Sequence, residues 1–158
     1  MGYTHYYNFK GNIHDIQNHE RKFKDAVELV KAVFHHLPEK VEFGRRNVPL
    51  KLFGPLGKGE PIFTDSLIAF NGDKSRGLNH ETFAIVRDSN QFGGMSCTFC
   101  KTVRAPYDIA VCLAILCFKQ VYGEDFKFSS DGDRRYEEGW VVARRILKAH
   151  NKENQGPR

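Results

Sequence analysis

The segment FCKTVRAPYD, residues 99–108, holds the residues with the most evident chemical potential. A thiol, Cys100, is followed by Lys101, Thr102 and Arg104, and the next proline favours the start of a helix. The first turn of a helix carries unpaired N–H groups and a partial positive charge, so it attracts anions. The segment therefore predicts a site where Lys101, Thr102 and Arg104 bind a phosphate or a carboxylate.

The thiol of Cys100 is the candidate nucleophile of this segment. Positive surroundings are expected to lower the pKa of Cys100 and to favour its reactive thiolate form. In a continuous strand over residues 95–102, Met95 and Phe99 share one face, and Cys100 lies on the other. If the Met95 face is core, Cys100 lies on the polar side. The competing interpretation is an inert, half-buried thiol, with Asp108 only compensating the helix dipole.

A second cluster, NHETF at 79–83, contains His80 and follows a polar loop with Lys74 and Arg76. His80 and Thr82 resemble the H-x-T motif of two-histidine phosphoesterases. Those enzymes need two such motifs, and the sequence contains no second one. His80 is therefore a candidate acid or base, or a histidine at a strand edge.

Two further clusters stand near the chain ends, THY at 4–6 and SSDGD at 129–133. His5 shares a strand face with Tyr3, and such an aromatic face either stacks on a ligand ring or belongs to the core. Asp131 is expected to orient a sugar hydroxyl or to pair with a histidine. Turn formation and capping are the alternative for this last segment.

Composition narrows the classes of partner and cofactor. The 158 residues carry a net charge of +5, with a pI near 9.0, which fits a small anionic partner better than a nucleic acid. No apolar run reaches the ~20 residues that span a bilayer, and no signal peptide is evident, so a cytoplasmic protein without a membrane partner is expected. One C-x-x-C at residues 97–100 lacks a second pair, which argues against structural zinc, and no metal or cofactor is predicted. Cys112 and Cys117 have the pattern of small core residues.

Periodicity predicts the elements that position these clusters. Helical patterns cover 16–37, 106–122 and the segment around Trp140, and the run IAVCLAILCF makes the middle helix largely buried. Strands are expected at 3–9, 65–72, 81–87, 95–102 and 125–130, with 81–87 and 95–102 paired as a hairpin. This order predicts an α+β fold with a mainly antiparallel sheet and about three helices. A single domain over 1–150 and a disordered tail at 151–158 complete the prediction.

Several short motifs together carry a resemblance. The chain contains GYTHYY, FNG, HETF, FCKT with PYD, SSDG and then Trp140, in that order. This ordered set, spread over most of the chain, resembles a group of short uncharacterised bacterial and phage proteins that open Gly-Tyr-Thr-His-Tyr. The chain departs from the group in an expanded region around 38–62 and a basic insertion, DRRYEEG. The resemblance implies a phage-type accessory protein of the host cytoplasm, and some such proteins sequester or destroy nucleotide signals of host defence.

The leading hypothesis is a protein that binds and sequesters a small anionic, nucleotide-like ligand. In this hypothesis the charged group of the ligand is bound beside Asp108 by Lys101, Thr102 and Arg104. A hydroxyl of the ligand is bound by Asp131. The ring lies against one of three side chains, Tyr3, His5 or Tyr107.

Two alternatives stay open. The first is a hydrolase or transferase acting on a nucleotide or glycosidic bond through Cys100, or a carboxylate, with His80. The second is an inhibitor that docks on another protein through its basic surface. A homo-oligomer is compatible with all three hypotheses.

Overall fold

The computed structural model describes residues 2–154 and confirms the α+β class. The three α-helices are α1 (His19–Phe34), α2 (Asp108–Tyr122) and α3 (Glu138–Asn154). The strands, in chain order, are β1 (Thr4–Phe9), β2 (Lys40–Phe43), β3 (Arg46–Pro49), β4 (Ile62–Phe63), β5 (Leu67–Phe70), β6 (Phe83–Val86), β7 (Gln91–Phe92), β8 (Met95–Ser96), β9 (Phe99–Lys101) and β10 (Phe126–Ser130). The strand pairs in this part of the chain are all antiparallel, as predicted.

Strand β1 is the centre of the sheet that matters most for the chemistry. It pairs with β10 on one side and β9 on the other, so that His5 stands opposite both Ser130 and Cys100. A second sheet has the order β4-β5-β6, and β2-β3 and β7-β8 form separate hairpins. The first and last strands of the described chain therefore bring the THY and SSDGD segments together.

The predicted hairpin between 81–87 and 95–102 is wrong. Strand β6 pairs with β5, whereas β9 pairs with β1. The segment between them forms its own hairpin, β7-β8, closed by Gly93 and Gly94 with φ of +54° and +84°. Glycine adopts positive φ without the steric penalty of a side chain, so the turn is tighter than the prediction assumed.

Helix α2 is largely buried, as its uniform apolarity predicts. It packs against both α1 and α3 and contacts β10, so no side of it is left to solvent over most of its length. The ring of Phe118 contacts Phe23 from α1 and Phe126 from β10. Because residues on every side of the helix are covered, its first turn lies inside the protein.

The chain ends differ from the prediction in detail. Helix α3 continues to Asn154, so a tail beginning at residue 151 is wrong, and residues 155–158 lie outside the described part of the chain. Helix α1 begins at His19 because Asn18 has a left-handed backbone, with φ of +59°. Among the helices of residues 2–154, none combines the length and apolarity needed to cross a membrane.

Candidate functional sites: a buried polar centre and an open pocket

A chain of hydrogen bonds lies between the sheet of β1 and the start of α2. The Nε2 atom of His5 donates to Asp108 Oδ1 over 2.6 Å, and the Thr102 hydroxyl donates to the same oxygen over 2.5 Å. The other ring nitrogen of His5 lies 2.9 Å from the Ser130 hydroxyl. The Cys112 sulfur lies 3.7 Å from His5 Nε2 and 3.8 Å from Asp108 Oδ2. These five residues are called the polar centre below.

Local structure explains how the polar centre forms. Alternation along β1 turns His5 inward together with the other buried residues of that strand, and pairing with β10 places Ser130 beside it. Asp108 and Cys112 lie four residues apart on α2, which puts them on one face of the helix. His5 is fully buried, and Asp108 is 5% exposed.

Aromatic rings and a glycine enclose the centre. The rings of Tyr3 and Trp140 meet the His5 ring edge-on, with centroids 4.8 and 5.1 Å away. A Cβ atom on Gly139 would stand 2.3 Å from Asp108 Oδ2, so only glycine lets α3 approach this closely. The indole N–H of Trp140 is buried and has no hydrogen-bond partner within residues 2–154.

Tyr3 is buried as well, and its burial raises the pKa of its hydroxyl. The neighbouring Ser130 acts against this rise, although the Tyr3 hydroxyl makes no hydrogen bond of good geometry within the described chain. Because Tyr3 is only 1% exposed, its ring serves the interior of the protein and offers no face to a ligand from solvent.

The predicted anion site at the start of α2 is occupied by the protein's own carboxylates. Asp108 lies in the first turn of α2, where it meets the N-terminal partial charge, and it binds the buried hydroxyl of Thr102. Arg104 donates two hydrogen bonds of 2.9 Å to Glu137 and lies over the Tyr3 ring. Two of the three predicted anion-binding groups, Thr102 and Arg104, are therefore already paired with the protein's own carboxylates.

Cys100 contradicts the prediction made for it. The strand over 95–102 is interrupted between β8 and β9, so the alternation restarts and Phe99 is 41% exposed while Cys100 is fully buried. Burial raises the pKa of the Cys100 thiol, with the Glu81 charge acting in the same direction. The expectation of a lowered pKa and a polar-facing thiol is therefore wrong, and the thiol lies within the hydrophobic core.

Of the remaining predicted ligand residues, Tyr107 and Asp131 take structural positions. The Tyr107 hydroxyl donates to the Glu81 carbonyl over 2.6 Å, and the ring is 1% exposed. The main-chain N–H of Lys101 donates to the Glu81 carboxylate over 2.7 Å, whereas its ammonium group has no ion-pair partner among the described residues. Asp131 is exposed and accepts the Thr4 N–H over 3.1 Å, which fixes the start of β1.

His80 lies elsewhere, on the wall of an open pocket of about 500 Å³. The lining combines basic side chains, Lys58, Lys74 and His80, with the apolar side chains of Leu56, Met95 and Phe99. Among the described residues, neither lysine forms an ion pair and the His80 ring forms no hydrogen bond. These groups are therefore available to a molecule that enters the pocket.

A buried amide holds the wall of this pocket. Asn71 is 2% exposed, and its Nδ2 group donates to the His80 carbonyl over 2.9 Å and to the Thr82 hydroxyl over 3.2 Å. Its Oδ1 atom accepts the N–H groups of Gly72 and His80. Gly57, with φ of +79°, lets the loop of Lys58 approach Lys74, where a Cβ would stand 2.8 Å from Lys74 Cβ. These contacts fix the backbone of His80 and the Lys58 loop at the wall of the pocket.

Sequence reasoning missed four participants of these two regions: Cys112, Glu137, Trp140 as a wall of the polar centre, and Lys58. One signal was present, since Asp108 and Cys112 are the two polar-capable residues spaced four apart at the start of an apolar helix. No pattern in the sequence connects Lys58 to His80, because a loop contact brings them together.

Comparison of the chain with family models, curated proteins and solved structures gave no match. Functional inference for this protein therefore depends on the geometry of the two regions.

Proposed function

We propose that this protein binds a small anionic, nucleotide-like ligand in the open pocket of Lys58, Lys74 and His80. The observation that carries the proposal is the combination, in one 500 Å³ pocket, of two unpaired lysines with an exposed aromatic ring. Pockets of small-molecule sites have volumes of roughly 300–1,000 Å³ and join apolar walls to a few polar groups. The proposal keeps the predicted ligand class and moves its site from the start of α2 to this pocket.

Each lining group has a role that its chemistry suggests. Lys58 and Lys74 supply ammonium groups to a phosphate, and the exposed ring of Phe99 supplies a stacking surface for a base. Glu81 uses one carboxylate oxygen for the Lys101 N–H, which leaves the other as an acceptor for a ligand hydroxyl. The net charge of +5 favours the approach of an anion.

Calorimetric titration against a panel of nucleotides and cyclic nucleotides tests the proposal. We expect Lys74→Ala to weaken binding at least tenfold, about 1.4 kcal/mol, without lowering the melting temperature. Arg76→Ala is the matched control. This substitution removes the same charge from the same loop, but Arg76 does not line the pocket. No response from the wild-type protein, or equal losses in both variants, contradicts the proposal.

The same titration separates a binder from an enzyme. Mass spectrometry of the ligand after incubation shows an intact molecule if the protein sequesters it. A modified ligand, with turnover abolished by His80→Ala and retained by Cys100→Ser, identifies a hydrolase or transferase that uses His80. The buried position of Cys100 supports neither a binding nor a catalytic role for its thiol.

The hypothesis of a protein-interaction inhibitor has one observation in its favour. A groove of about 780 Å³ between α2 and α3 has the apolar side chains Leu116 and Leu147 beside Arg144, Lys148 and Lys152. An apolar floor with a basic rim suits an acidic partner surface. Charge reversal at Arg144 and Lys148 that abolishes capture of a host protein, while nucleotides give no signal, favours this second candidate.

The phage-type accessory role and the sequestering of a host-defence signal stay predictions that depend on the resemblance of the motifs. They are tested by the identity of the bound nucleotide, which denaturation of freshly purified protein releases for mass spectrometry.

A further inference from the structure

The polar centre contains a donor set that its hydrogen bonds do not fully explain. His5, Asp108 and Cys112 each offer one ligand atom, and the three atoms lie within 4.8 Å of one another in the interior. A thiol between an imidazole and a carboxylate is weakly bonded, because its contacts are 3.7 and 3.8 Å long. Nitrogen, oxygen and sulfur together form the donor set that zinc prefers.

We propose that His5, Asp108 and Cys112 form a mononuclear binding site for a zinc-class divalent ion. Zinc bonds of ~2.0–2.1 Å to nitrogen and ~2.3 Å to sulfur separate tetrahedral ligand atoms by about 3.4–3.6 Å. The sulfur-to-nitrogen and sulfur-to-Oδ2 distances of 3.7 and 3.8 Å lie close to these values. The ion takes the place of the 2.6 Å hydrogen bond between His5 and Asp108, and Oδ2 is the ligand atom of the carboxylate.

Surrounding hydroxyl groups orient two of the three ligands, His5 and Asp108, as they do in metal sites. A metal-bound imidazole donates its second N–H to an acceptor, and the Ser130 hydroxyl lies 2.9 Å from His5 Nδ1 for this purpose. The Thr102 hydroxyl holds Asp108 through Oδ1, which leaves Oδ2 for the ion. Because Gly139 has no side chain, α3 packs directly against Oδ2 and the Cys112 sulfur, where a Cβ would stand only 2.3 and 3.0 Å away.

Charge and access fit the same ion. One carboxylate and one thiolate neutralise a divalent cation, so the buried site has no net charge to desolvate. Magnesium and calcium are disfavoured, because they take oxygen ligands rather than sulfur. Asp108 and Gly139 also line a small cleft of about 70 Å³, more than the ~10–15 Å³ that one water needs. The cleft has room for a water beside Asp108, which would supply a fourth ligand.

The test uses the full chain, expressed without a histidine tag in zinc-supplemented medium. We expect about one zinc per chain by elemental analysis after gel filtration. Removal of zinc and titration with Co²⁺ should give a thiolate-to-cobalt charge-transfer band in the near ultraviolet. Cys112→Ser should lose the band and most of the metal. Cys117→Ser is the matched control, because Cys117 is an equally buried thiol of the same helix and belongs to no group of three potential metal ligands within residues 2–154.

X-ray absorption on the zinc-loaded wild-type protein keeps the test valid even if Cys112→Ser folds poorly. One sulfur and two or three nitrogen or oxygen scatterers around the metal support the site. Three outcomes overturn it: no zinc and no cobalt band in the folded wild-type protein, a metal shell without sulfur, or equal metal contents in Cys112→Ser and wild type. The last of these would mean an adventitious surface ion only.

Discussion

The polar centre and the open pocket use similar residue types in opposite ways. In the polar centre, His5, Thr102 and Asp108 are buried and bind one another. In the pocket, Lys58, Lys74 and His80 face solvent and bind no partner side chain among the described residues. The residue type alone therefore does not define the role of a histidine or a charged residue. The role depends on whether its hydrogen-bond or ion-pair partner is another group of the protein or a bound ligand.

This difference predicts where mutations cost stability and where they cost binding. A buried polar group whose partner is removed loses its hydrogen bond and cannot recover one from water. Removing an exposed lysine breaks no buried hydrogen bond, so the free energy of unfolding should hardly change. Mutations in the polar centre should consequently lower the free energy of unfolding, whereas mutations of the pocket lysines should lower ligand affinity.

The largest effect is expected for Asp108→Ala in the polar centre. The change leaves His5 Nε2 and the Thr102 hydroxyl without their acceptor in a buried site, which should lower the free energy of unfolding by about 3–5 kcal/mol. Urea unfolding followed by circular dichroism measures the loss. Asp125→Ala is the control, since it breaks a partly exposed 3.7 Å pair with Lys22 and should cost less than about 1 kcal/mol. Equal losses would mean that the centre is not a closed network.

The second effect concerns the frame of the pocket. Asn71→Ala should lower the free energy of unfolding by about 1–3 kcal/mol, because the backbone groups of Gly72 and His80 lose a buried partner. Lys74→Ala, on the same pocket, should stay within about 0.5 kcal/mol of wild type. If Lys74→Ala proves the more destabilising, the lysine has a structural role and the comparison between the two regions fails.

The third effect is a reversal of a common rule. Alanine in place of glycine at an open helical position stabilises by about 0.5–1 kcal/mol. At Gly139 the added Cβ meets Asp108 Oδ2 and the Cys112 sulfur, so Gly139→Ala should instead destabilise by about 1–3 kcal/mol. Thermal unfolding measures the sign, with the exposed change Arg145→Ala in the same helix as control. A higher melting temperature for Gly139→Ala would show that the centre has free space.

The smallest effect is expected at the rim of the centre and depends on pH. The hydrogen bonds from Arg104 hold the pKa of Glu137 below its ordinary value of 4.5, although partial burial acts against them. The pair therefore stabilises the fold above pH 4.5, and the contribution is lost as the pH falls through the lowered pKa. Since Arg104 is half exposed, Glu137→Gln should cost less than about 1 kcal/mol at pH 7.

Unfolding of wild type and Glu137→Gln across this range checks the direction. The two proteins should differ at pH 7 and converge in acid. A difference that grows as the pH falls would contradict the assignment of Arg104 as the partner of Glu137.

Prediction from the sequence succeeded where one periodicity dominated. The segment IAVCLAILCF is apolar on every side, which predicts a helix buried on all sides, and α2 is buried in this way. It failed at Cys100, because the prediction assumed one strand in which side chains alternate from residue 95 to 102. A bend between β8 and β9 interrupts this strand, so the alternation starts anew at β9. The prediction of the anion site was wrong for a different reason. Thr102 and Arg104 do lie near the start of α2, but Arg104 is hydrogen-bonded to Glu137, a residue far downstream in the sequence.

By itself, the sequence determined the α+β class, which residues share a face of β1 and the depth of α2, because these follow from the spacing of apolar residues along short segments. Only the tertiary structure decided that His5, Asp108 and Cys112 meet and that Lys58 and Lys74 share a pocket with Phe99. The physical reason is that strand partners and loop contacts join residues far apart in the chain, and satisfied or unsatisfied charges are defined only after those partners are in place.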